Sequence, residues 1–113
     1  MSAPRRGEVW LVQLNPTRGH EQAGLRPALV LSVDTFNASA AELATILPIT
    51  SKPRAVRTRV EVKPPEGGLS LASFVICEQV RTISTQRFVR STGSVSGATI
   101  KAVEGIVRML LGL

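Results

Sequence analysis

A chain of 113 residues, 43% of them hydrophobic, is long enough for one globular domain with a single modest core, taken as 1–113, and is not a disordered tail. Its lone cysteine, Cys77, excludes an internal disulfide and a zinc–thiolate cluster, and no apolar run reaches the length that spans a bilayer. A balance of 14 Lys and Arg against 8 Asp and Glu gives +6, mostly as arginine, whose planar fork suits phosphate; a polyanion such as nucleic acid is the expected partner, with plain solubility as the alternative.

The opening MSAPRRGEVW has arginines but no apolar stretch of the kind a secretory signal needs, so a cytoplasmic protein is expected. Gly7 to Leu14, GEVWLVQL, alternates and predicts a strand. Residues 15 to 25 predict a long loop, opened by Asn15-Pro16, with Gly19 and Gly24 as soft points about which it swings. Pro27 to Ser32 is a continuous apolar run, the pattern of a buried strand. VDTFNASAAE predicts a turn with one helical turn, and Leu43 to Ile49 a third strand. TSKPRAVR is a basic loop, and Thr58 to Val62 alternates again. KPPEGGLS interrupts any strand with two prolines and two glycines. Ser73 to Val80 predicts a central strand, STQRF a short helical turn, and Val89 to Ser94 a last strand.

The period then changes. Ile100, Val103, Val107 and Leu110 recur at helical spacing behind a Ser96 N-cap, and Glu104 stands four residues before Arg108, the orientation that favours an ion pair. Ile106, Met109 and Leu111 widen the apolar face, which suggests a helix packed on more than one side or against a partner. The whole predicts a mainly β, barrel-like sheet with one C-terminal α-helix.

Most catalytic constellations are missing. There is no phosphate-binding glycine loop, and the one histidine, His20, reads as a solvent-facing loop residue. The acidic residues are scattered, so no metal site is expected. What clusters is polar donors at strand ends: Glu21, Gln22 and Arg26; Thr50, Ser51, Lys52 and Arg54; Glu78, Gln79, Arg81 and Thr82. Three such loops converging on one end of a small sheet would line a groove with phosphate- and base-binding groups.

The stretches RRGEVWLVQLNPTRGHEQAGLRPALVLS, LPITSK and CEQVRTIS, in that order, resemble the MazF/PemK family of toxins from toxin–antitoxin pairs, and the similarity covers nearly the whole chain. The resemblance implies a small src-homology-3-like barrel of the PemK/CcdB type and a tight homodimer. It implies a sequence-specific endoribonuclease that needs no metal or other cofactor and cuts single-stranded RNA. It also implies inhibition by a small acidic antitoxin, whose apolar side chains would fill pockets near Leu25 and Trp10. Residue by residue, the family's key arginine falls on Arg26 and its key threonine on Thr50, with Ser51 beside it. The loop residues lining the RNA groove fall on Glu21 and Gln22, and the later EQ pair on Glu78 and Gln79, followed by Arg81 and Thr82. The basic stretch PRAVRTR after Lys52 departs from the shared pattern.

Chemistry fits those roles. RNA cleaved without metal uses its own 2′-hydroxyl as nucleophile and leaves a 2′,3′-cyclic phosphate and a 5′-hydroxyl. Charge gathers on the phosphoryl oxygens, where a fixed guanidinium acts best. Arg26 precedes Pro27, which restricts its backbone to extended conformations. Thr50 can donate to the same oxygens. The general base is open: arginine is essentially never neutral, which leaves Glu21 as a candidate. For Arg26 the structural alternative is an ion pair with a carboxylate such as Glu78.

Two other functions compete. A gyrase poison of the same fold, as in the CcdB family, ends in Trp-Gly-Ile, whereas this chain ends Leu-Leu-Gly-Leu with its only tryptophan at Trp10. A non-catalytic nucleic-acid-binding module would want exposed aromatics for stacking, and only Phe36, Phe74 and Phe88 accompany Trp10.

Overall fold

The structure, a computed structural model, describes residues 2–15 and 18–113. Among the described residues seven strands run in the order β1 (Glu8–Gln13), β2 (Leu25–Val30), β3 (Leu43–Thr50), β4 (Arg59–Val62), β5 (Ser73–Ile76), β6 (Arg81–Ser84) and β7 (Phe88–Ser94). A four-residue helix α1 (Asp34–Asn37) follows β2, and the helix α2 (Gly97–Leu111) closes the chain. The sheet is antiparallel in the order β4-β5-β3-β2-β1-β7, with β6 also on β3. The mainly β expectation with a C-terminal helix therefore holds.

Alternation builds the core on both faces. Val9, Leu29, Leu47 and Ile49 join Val62, Val75, Cys77, Val103 and Val107 on one side. Their neighbours Trp10, Val12, Leu14, Ala28, Val30, Ala44 and Ile46 join Ile83 and Phe88 on the other. A strand buried on both faces reads as a continuous apolar run, which is why ALVL carries no alternation of its own. Trp10 is 5% exposed and packs edge-on against Phe88, whereas Leu25 is 52% exposed.

Two strands differ from expectation. β2 begins at Leu25, not Pro27, so Arg26 and Pro27 lie inside it. Proline is tolerated because β3 pairs with β2 only over Ala28 to Val30, leaving the Pro27 nitrogen no ladder bond to make. The expected strand Ser73 to Val80 is cut by a 3-10 turn, Cys77–Gln79, and the chain resumes as β6 on the same edge of β3. Ile49 and Ile46 are neighbours three apart on β3, yet their partners Val75 and Arg81 are six apart. The turn takes up the extra residues and throws Glu78 and Gln79 out of the ladder.

The Ser96 side chain caps α2 by accepting from Thr99 N, and Gly112, at φ 70°, closes the far end in the left-handed region. Val103 and Val107 are buried and Ile100 is packed beneath them, but Leu110 stays 40% exposed beside Met109, Leu111 and Leu113. Glu104 pairs with Arg6 and not with Arg108. The N-terminal segment crosses the helix at that point, and a partly buried partner outcompetes a solvated one on the same face.

The KPPEGGLS segment locks β7 to the helix. Gly68 has φ +69°, and a Cβ there would stand 1.9 Å from the Thr92 carbonyl oxygen. Thr92 Oγ1 donates to Gly67 O at 2.8 Å. Glu66 Oε1 accepts from Ser96 N and from Thr99 Oγ1, both at 2.6 Å. The Thr99 hydrogen bond first, then that from Ser96, hold the Glu66 carboxyl below its ordinary pKa against a small opposing effect of burial.

Candidate nucleic-acid interface

The β2–β3 register brings the first two candidates together. Ala28 sits opposite Pro48, and in an antiparallel pair each step back along β2 matches a step forward along β3. Two residues further, where the ladder has ended, Arg26 stands across from Thr50 on the same face of the sheet. Both line one cavity of about 180 Å³, with Ser51 beside them and Leu69, Leu71 and Ser73 as its far wall.

Each side chain is set for donation. Arg26 Nε donates to Ala23 O at 3.0 Å, which fixes the stem and leaves the two terminal amino groups of the fork. Among the described residues Arg26 has no carboxylate partner: Glu78 pairs with Arg59 Nε at 3.1 Å, so the ion-pair alternative is not what is seen. Thr50 Oγ1 accepts from Lys52 N at 3.2 Å, which turns its own hydroxyl hydrogen elsewhere.

Thr50 also borders a second cavity, of about 340 Å³, lined by His20, Gln22, Lys52, Arg54 and Arg59. The two cavities share Thr50 as a lining residue, and their cations come from β2, the β3–β4 connection and β4. Lys52 and Arg54 pair with no carboxylate among the described residues. A further cavity, of about 290 Å³ beside Trp10, Asn37, Glu42 and Phe88, has no cationic lining, so its chemistry is wrong for a polyanion.

The remaining candidates are tied differently. Gln79 reaches from its turn to grip the β1–β2 loop twice: Gln22 N donates to its Oε1 at 2.9 Å, and its Nε2 donates to His20 O at 3.0 Å. Gly24 N donates to Asn15 Oδ1 and Leu14 N to Gly24 O. The described part of the loop is therefore fastened at its base and its middle, where a loop swinging about Gly19 and Gly24 was expected. Glu21 is turned away from both cavities: its Oε1 accepts from Arg18 N at 3.0 Å, and its Oε2 is 3.8 Å from Arg81 Nη1. Glu78 accepts from Thr58 Oγ1 at 2.8 Å as well as from Arg59. Partial burial pushes its pKa up, but hydrogen bonds from Thr58, its own backbone N–H and Arg59, with the Arg59 charge, outweigh this and leave it below the ordinary carboxylate value. Thr82 lies opposite Thr45, the two hydroxyls 2.8 Å apart, five residues up β3 from Thr50 and outside both cavities.

Cys77 is buried and its thiol is pushed up to about 11, by desolvation and then by the Glu78 charge, so it is no nucleophile. Among the described residues no three His, Cys, Asp or Glu side chains gather as metal ligands would. Among the described residues no helix is long and apolar enough to cross a membrane.

Sequence reasoning missed Arg59, the last residue of the basic run and the first of β4; His20, expected to face solvent, is exposed and lines the second cavity. Arg59 had a signal: the alternation of TRVEV puts it opposite in face to Val60. Its side chain is 7% exposed, a burial that only its pairing with Glu78 makes tolerable. The wall from Leu69 to Ser73 had none, because turn residues announce where a chain bends and not what it bends towards.

Residues 5–111 match the family model for the PemK-like, MazF-like toxin of type II toxin–antitoxin systems. The chain is 37% identical over 114 residues to endoribonuclease MazF9 of Mycobacterium tuberculosis, covering 96% of this chain and 97% of that one. It is 32% identical over 111 residues to endoribonuclease MazF of Staphylococcus saprophyticus, covering 96% and 92%. Its backbone superposes on a crystal structure of MazF from Deinococcus radiodurans with a TM-score of 0.87 at 27% identity, covering 98% of each chain. From its first strand to its last helix, then, this chain belongs to the PemK-like, MazF-like toxins of type II toxin–antitoxin systems.

Proposed function

We propose that this toxin cuts single-stranded RNA at short sequences without a metal, by attack of the RNA's own 2′-hydroxyl, and that Arg26 and Thr50 carry the reaction. The observation that carries this is that Arg26 and Thr50 line one cavity, both with donors left over and, among the described residues, neither paired with a carboxylate. In the transition state the guanidinium fork and the hydroxyl stabilise the charge on the non-bridging phosphoryl oxygens. Lys52 and Arg54 hold flanking phosphates, Gln22 and Ser51 meet the strand beside them, and Gln79 acts by fastening the loop.

The protein works as a homodimer, joined in part through the apolar end of α2, where Met109, Leu110, Leu111 and Leu113 lie exposed. Its inhibitor is an acidic peptide segment of the paired antitoxin, drawn to the same cationic groove. The relatives named endoribonucleases favour this over gyrase poisoning.

Purified protein incubated with unpaired RNA in excess chelator should cut it and leave 5′-hydroxyl ends that polynucleotide kinase labels directly. RNA with a 2′-deoxy group at the cut site should resist. Complete loss of cleavage in chelator would overturn metal independence, and cleavage of the 2′-deoxy substrate would overturn the mechanism.

A further inference from the structure

A guanidinium stabilises a phosphoryl group best when it is fixed beforehand, and the strand that carries Arg26 fixes only its backbone. Arg26 lies opposite Val12 in the ladder and precedes Pro27, but its head stands at the end of a long flexible stem. The contact that orients the head is the hydrogen bond from Nε to Ala23 O at 3.0 Å. That carbonyl belongs to the same peptide unit as Gly24 N, which donates to Asn15 Oδ1 at 3.0 Å. A peptide unit is planar and trans, so its N–H and C=O point in opposite directions. The Asn15 amide on one side therefore sets the direction in which Ala23 O faces Arg26 on the other. Backbone preference does not set it. Gly24 has φ +78°, and glycine takes positive and negative φ about equally. Turning the Ala23–Gly24 peptide over, the change that separates a type II from a type I turn, would carry Ala23 O away from Arg26 with little strain. Asn15 is itself anchored: Arg87 Nη1 donates to Asn15 O at 2.5 Å and to Gln13 O at 3.1 Å, and Asn15 N donates to Gln13 Oε1 at 3.1 Å.

Taking the proposed RNA cleavage as the reaction, we infer that Asn15 is a positioning residue for Arg26, acting through the Ala23–Gly24 peptide. The grip of Gln79 on this loop is a separate one, at His20 and Gln22, and does not set that peptide. With the peptide turned over, the guanidinium loses its anchor and spreads over several rotamers. RNA still binds through the flanking cations Lys52 and Arg54, but fewer bound molecules have the fork placed on the scissile phosphate. The loss therefore falls on kcat and leaves KM almost unchanged.

The test is kcat and KM on one RNA substrate in chelator for the wild type, Asn15→Ala, Asn15→Asp, Gly24→Ala, Arg26→Ala and the Asn15→Ala/Arg26→Ala double variant, with melting curves to show that each is folded. Asn15→Ala should lower kcat about tenfold and change KM by less than about twofold. Asn15→Asp keeps an acceptor for Gly24 N and should restore kcat to within about threefold of wild type. Gly24→Ala should lower kcat as Asn15→Ala does: a Cβ there meets no atom within 4 Å, so the substitution acts by disfavouring positive φ and leaves Asn15 in place. In the Arg26→Ala background the Asn15→Ala change should cost less than about twofold, because the side chain it positions is gone. A folded Asn15→Ala or Gly24→Ala with wild-type kcat overturns the inference. So does an Asn15→Asp as slow as Asn15→Ala, or an Asn15→Ala loss equally large with and without Arg26. A wild type that cuts no RNA overturns the functional proposal together with the inference; one that cuts while Asn15→Ala is unaffected overturns the inference only.

Discussion

Two ends of this small sheet use the same kinds of residue in opposite ways. Around the start of α2, Glu66 is fully engaged by Ser96 and Thr99, Thr92 bonds back to Gly67, and Gly68 is pressed against β7. Donors and acceptors there are used up inside the protein. At the mouth between β2 and β3, Arg26 keeps its terminal fork, the Thr50 hydrogen is unspent, and Lys52 and Arg54 have no acidic partner among the described residues. Groups satisfied internally stabilise the fold; groups left over are available to a ligand. The contrast separates stability from function by location, and substitutions at each end should divide accordingly.

Arg26→Ala should have the largest effect and only on one side of that division. Its cleavage rate should fall a hundredfold or more, with the melting temperature unchanged, because its one internal bond is to an exposed loop carbonyl. Arg26→Lys should recover only part, since an ammonium lacks the fork. Parallel melting and single-turnover measurements would show this, and an Arg26→Ala protein that cuts at the wild-type rate would remove the residue from the site.

Gly68→Ala should do the reverse. A Cβ so close to the Thr92 carbonyl, at positive φ, should cost about 3 kcal/mol by denaturant titration while the folded fraction keeps its specific activity. Ser96→Ala should cost about 1 kcal/mol, the usual effect of losing an N-cap, again with activity retained.

Glu66→Gln should show the smallest effect and one that depends on pH. The folded-state pKa of Glu66 is depressed, so its stabilisation is present above the unfolded carboxylate value of about 4.3 and lost as pH falls through the lower folded value. The variant should melt below the wild type at pH 7, and the gap should narrow below about pH 4. A gap that stays constant down to pH 2 would mean that the charge of Glu66 contributes nothing.

The fold was more legible in the sequence than the site. Strand alternation in GEVWLVQL and TRVEV, the Ser96 cap and the period from Ile100 to Val107 are local signals, and each names its own element. The break at Cys77–Gln79 was invisible because SFVICEQV has the composition of one strand; only the pairing with β3 shows where three residues are put out of line. Arg26 and Thr50 were found through a family motif, but their facing each other depends on a register between β2 and β3 that no local pattern encodes. The hold of Gln79 on the β1–β2 loop was invisible for the same reason, since it joins residues 59 apart in the chain.

The central claim is that Arg26 and Thr50 act on one phosphoryl group, and a double-mutant cycle tests it most directly. Single-turnover cleavage of one RNA by the wild type, Arg26→Ala, Thr50→Val and the double variant gives their coupling. Thr50→Val alone should slow cutting roughly tenfold, as the loss of one hydrogen bond to a charged group does. Two donors on one transition state should be non-additive, the double variant losing clearly less than the product of the two single losses. Strictly multiplicative losses would mean that the two residues act independently, and would contradict the shared site.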